Sequence, residues 1–148
     1  LVLAAVKNAK TEEQKLAAER TRFGTMMVHE IKFRYARGSK EPMETVLAFG
    51  YGRDDCQVFN YWDPDYPLAV SSEQVKSLLL RRGDALLAVL CTWNPKPETV
   101  TLTLDTEALG LTPKAATDAE SGEALGIKGG KTLTVPLDGY GVRILRLE

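Results

Sequence analysis

Few residues in this chain are equipped for chemistry. Its single histidine, His29, stands in "MMVHEIKFRY" beside Glu30. A histidine next to a glutamate can act as a general acid or base, so His29 and Glu30 are the candidate catalytic residues. In a strand, adjacent side chains point to opposite faces and could not form one dyad. The competing reading is a hydrogen-bonded structural histidine at the base of a loop. Four carboxylates, Asp54, Asp55, Asp63 and Asp65, flank the aromatic segment "CQVFNYW". Paired carboxylates are what glycoside cleavage requires, but all four lie in turn-like sequence, where Asp is favoured for bonds from its side chain to the backbone. Phe59, Tyr61, Trp62, Tyr66 and Trp93 form the densest aromatic group. Of these, Tyr61, Trp62 and Tyr66 are the candidate carbohydrate-binding platform, against the more usual role of such residues as core.

Other motifs carry less. No HExxH follows His29, so zinc is not indicated and no metal or cofactor is expected. Cys56 and Cys91 sit far apart in apolar runs and read as buried free thiols. "RGD" at positions 82–84 is a hairpin turn, while "GYG" and "KGG" lack the strand-to-helix context of a phosphate site.

The elements that must position these residues change character along the chain. Residues 1–22 contain neither Gly nor Pro and are rich in Ala, Leu, Glu, Gln and Lys, which predicts a helix, a break near Lys10 and a second helix that Gly24 ends. Thr11 and Gln14 resemble a capping box for that second helix. Residues 25–35 are ambiguous between strand and helix. "SKEPMETVLAFGYG" predicts a short helix with Ser39 at its N-cap and Gly50 and Gly52 as stops. "CQVFNYW" reads as a strand with both faces covered.

After residue 66 short strands recur at even spacing. Residues 75–82 and 85–93 flank the "RGD" turn, and the second of these is apolar on both faces, as a central strand between layers should be. In "TVTLTLD", Val100, Leu102 and Leu104 alternate with threonines, giving one buried and one wet face. "EALGL" suggests a short helical connector, and weak strands follow, punctuated by "SGE" and "KGGK". In "GVRILRLE" the apolar parity shifts after Ile144, which a β-bulge would reconcile. The expected fold is α+β by content: mainly an antiparallel β-sandwich of about seven strands preceded by a helical N-terminal segment.

Composition narrows the partners. Nineteen basic residues against 20 acidic ones leave a net charge of −1, so nothing favours nucleic acid or an acidic membrane surface. No run approaches the about 20 apolar residues of a membrane span. "LVLAAV" at the start is too short for the apolar core of a secretory signal and runs into a helical pattern. The chain begins without Met, which fits a piece of a longer protein.

Taken together, "FGTMMVHEI", "VFNYWD", a strand pair ending in an asparagine, "VTLTLDTEALGL", "DAESGEAL" and "LTVPLDGYGVRILRLE" resemble the C-terminal end of large glycoside hydrolases similar to the family-123-like group. The resemblance implies residues 1–66 as the last part of a catalytic (β/α)8 barrel and residues 67–148 as an accessory β-sandwich. It implies a partner, the catalytic domain of the parent chain, and carbohydrate as a further ligand. The other barrel strands, whose C-terminal ends would carry most catalytic residues, are missing. The expected function is therefore non-catalytic, with a carbohydrate-binding module as the alternative.

Overall fold

The computed structural model describes residues 7–32 and 37–148. The helix expected at the start of the chain falls largely on residues 1–6 and the end of the ambiguous segment on residues 33–35, both outside the described residues. Helices α1 (Glu12–Val28) and α2 (Lys40–Phe49) precede the strands, with a 3-10 turn at Arg37–Ser39. Ten strands follow: β1 (Gln57–Asn60), β2 (Leu68–Val70), β3 (Val75–Arg82), β4 (Ala85–Thr92), β5 (Glu98–Leu104), β6 (Ala116–Asp118), β7 (Ala124–Leu125), β8 (Ile127–Lys128), β9 (Thr132–Leu137) and β10 (Val142–Leu147). A one-turn helix α3 (Thr106–Leu109) joins β5 to β6. All pairings are antiparallel, in a six-stranded sheet ordered β1-β3-β4-β10-β6-β7 and a four-stranded sheet ordered β2-β5-β9-β8. The expected α+β sandwich is the observed fold. The strands beyond the expected seven are short ones, β2, β7 and β8.

The six-stranded sheet lies between two layers. Its inner face, with Leu79, Leu86, Ala88, Leu90, Leu145 and Leu147, packs on Val100, Leu102, Leu104, Leu133 and Val135 of the smaller sheet. Its outer face, with Leu78, Leu80, Leu87, Val89, Cys91, Val142 and Ile144, packs on Phe23, Met27 and Val28 of α1 and Val46 and Phe49 of α2. Each of the Val, Leu, Ile, Phe and Met side chains among them contributes about 1.5–3 kcal/mol when withdrawn from water. This explains the parity shift in β10. Val142 and Ile144 face the helices, Leu145 and Leu147 face the other sheet, and the register to β4 runs unbroken from Val142↔Cys91 to Leu147↔Leu86. The expected bulge is absent because the strand is buried on both sides.

Helix α1 runs through Gly24 instead of ending there. At that position the helix approaches the sheet so closely that a Cβ would stand 2.4 Å from Val142 Cγ2 and 3.0 Å from Cys91 Sγ. Gly24 is thus a contact point between layers, and the ambiguous residues 25–28 are the last turn of α1. At the start of the helix, Thr11 Oγ1 accepts from the Gln14 amide at 3.1 Å, while the Gln14 side chain accepts from the Lys10 amide, one residue earlier than a reciprocal box would place it.

The motif residues after β5 are turn fittings. Asp105 accepts the Ala108 amide at the N-cap of α3, and Gly110 closes that helix at φ +60. Asp118 Oδ1 accepts the amides of Glu120 (3.0 Å) and Ser121 (2.9 Å), and Oδ2 accepts Arg143 Nε at 2.8 Å. Arg143 also reaches Glu123. Burial pushes the Asp118 carboxyl up, but the hydrogen bonds from Arg143 and from the Ser121 and Glu120 amides outweigh it and hold the group below the ordinary carboxylate range. A depressed carboxylate stabilises the fold above its unfolded-state value, near about 4, and loses that contribution as pH falls toward its folded value. Asp118→Asn should therefore cost about 2–3 kcal/mol at pH 7, and the gap to the unsubstituted protein should close in urea titrations repeated from pH 5 down to 2.5.

Candidate functional site

The side chains singled out for chemistry meet where α1 ends. His29 is the C-cap residue of α1. The Ile31 amide donates to Met26 O (2.9 Å) and the Glu30 amide to Met27 O (3.0 Å), with Glu30 in the left-handed region at φ +51. This is the Schellman arrangement, with Glu30 where glycine is usual. Glu30 is exposed, and among the described residues its carboxylate accepts a long bond from Tyr51 OH at 3.3 Å.

His29 has both ring nitrogens committed. Nδ1 lies 2.7 Å from Thr25 O and Nε2 lies 3.0 Å from Tyr61 OH. A carbonyl only accepts, so Nδ1 carries the proton and Nε2 accepts from the tyrosine. The imidazole is also held between two indoles. Trp93 stacks on it at 5.7 Å and 19°, and Trp62 at 6.4 Å and 22°. Trp93 Nε1 donates to Thr25 Oγ1 at 3.3 Å, which in turn donates to Thr21 O. The cluster ties α1 to the β1–β2 loop and to the end of β4, three segments distant in sequence.

The aromatic segment departs from the expected strand. Pairing stops at Asn60 because the next residues form a turn: Asp63 Oδ2 accepts the Asn60 amide at 3.1 Å, and the Asp63 amide donates back to Asn60 O. Tyr61 and Trp62 therefore escape strand alternation. Trp62 is 49 % exposed, where both faces were expected to be covered. Its ring meets Tyr61 at 78°, and Lys76 Nζ lies 5.4 Å from the Tyr61 ring. Tyr66 packs on the inner core with its hydroxyl 2.8 Å from Ser77 Oγ, and burial raises its pKa far above the usual tyrosine range. The three rings thus share no plane.

The flanking carboxylates are spread over turns. Asp55 pairs with Arg53 (3.1 Å) and Arg82 (2.9 Å), and these hydrogen bonds, Arg53 first, lower its pKa. Asp54 and Asp65 are exposed. Cys91 is buried, which pushes its thiol up to about 11, and Cys56 is half-buried. Among the described residues no group of three or more His, Cys, Asp and Glu side chains is placed to hold a metal ion. Sequence reasoning named His29, Tyr61, Trp62 and Trp93 separately. Thr25, which bonds two of them, it passed over, and its spacing of four from His29 on one helix was the available signal.

The model of the glycoside hydrolase 123 C-terminal domain matches residues 47–125. The chain belongs to that family. A search of curated proteins found no match. Similar solved structures include the GH27 β-L-arabinopyranosidase of Geobacillus stearothermophilus, at 16 % identity and TM-score 0.43, covering 52 % of this chain and 18 % of that protein. A structure of AmyP with maltotriose has 17 % identity and TM-score 0.44, covering 55 % and 16 %. A GH30 endoxylanase from Clostridium papyrosolvens has 7 % identity and TM-score 0.42, covering 53 % and 21 %. The chain therefore spans about a fifth or less of the length of each.

If Glu30 serves only to close α1, a glycine should serve better. Glu30→Gly should stabilise the chain by about 0.5–1 kcal/mol by removing left-handed strain, read as a raised urea midpoint at unchanged slope.

Proposed function

We propose that this glycoside hydrolase 123 C-terminal domain is non-catalytic and packs against and steadies a catalytic domain elsewhere in the same polypeptide. The helices would continue that domain's polypeptide and the sandwich would form the accessory part. One observation carries the reading: the acid–base side chains singled out are dispersed over separate turns and a helix end instead of facing one another across a cleft. His29 has both ring nitrogens bonded, Asp55, Asp63 and Asp118 hold turns and arginines, and the exposed Glu30, Asp54 and Asp65 stand apart at a helix end and in two separate turns. Glycoside hydrolysis needs two carboxyl groups about 5–10 Å apart across a substrate cleft, and these serve separate turns.

A carbohydrate-binding module is the second reading, favoured by the half-exposed Trp62 backed by His29. It is the weaker one, because the perpendicular Tyr61 and the half-buried Tyr66, packed on the inner core, leave one open ring where a sugar platform uses two or three in a plane.

Both readings are tested on the purified chain. It should not hydrolyse aryl glycosides, and titration calorimetry with soluble oligosaccharides at millimolar concentration should give no saturable heat. Turnover abolished by Glu30→Gln would contradict the non-catalytic role. Saturable binding lost in Trp62→Ala, with the circular dichroism unchanged, would favour the module.

A further inference from the structure

We draw no further inference here: the strongest candidate, the groove between α1 and the β9–β10 hairpin flanked by the exposed Tyr140 and Asp138, carries none because nothing in the structure shows what covers it.

Discussion

Everything in this protein depends on burying the six-stranded sheet on both faces. Strand β4 has no wet side: Leu86, Ala88 and Leu90 serve the inner core, and Leu87, Val89 and Cys91 the helical side. A sheet with one covered face would leave half of that apolar surface in water, so α1 and α2 complete the core. Gly24 sets how closely the helical layer sits, and Phe23 and Met27 fill the space beside it.

The same constraint explains the chemistry. A layer of helices laid on a sheet must have its ends closed, and the residues that looked reactive stand at those ends and in the turns. His29 and Glu30 finish α1, with the imidazole bonded to Thr25 and Tyr61 and clamped between Trp62 and Trp93. Asp118 and Arg143 hold the turn after β6 to a central strand. The family motif text around Asp105, Gly110, Asp118 and Ser121 is thus a record of caps and turns.

Much of the architecture was legible in the sequence because strand alternation is local. The alternating run from Thr99 to Leu104 and the doubly apolar β4 declared one wet face and none. Gly24 misled, because a glycine in a helical pattern reads as a stop when the surface it must approach, Val142 and Cys91, is many residues away. The parity shift at Leu145 misled for a related reason, since a bulge and a second buried face leave the same trace. At the site the members were visible and their assembly was not. Trp62 was assigned to a strand face because the hydrogen bonds of Asp63 that end pairing at Asn60 look the same in sequence as any turn-forming aspartate.

If the two-faced sheet is the organising constraint, helices and sandwich must unfold as one unit. Native-state amide hydrogen exchange measures this directly. The account predicts that the slowest amides of α1, around Phe23 and Met27, exchange with the same free energy and denaturant dependence as those of β3, β4 and β10, at the value for global unfolding. Exchange of α1 through a separate opening of lower free energy, with the β4 amides still protected, would show a self-sufficient sandwich and contradict the account.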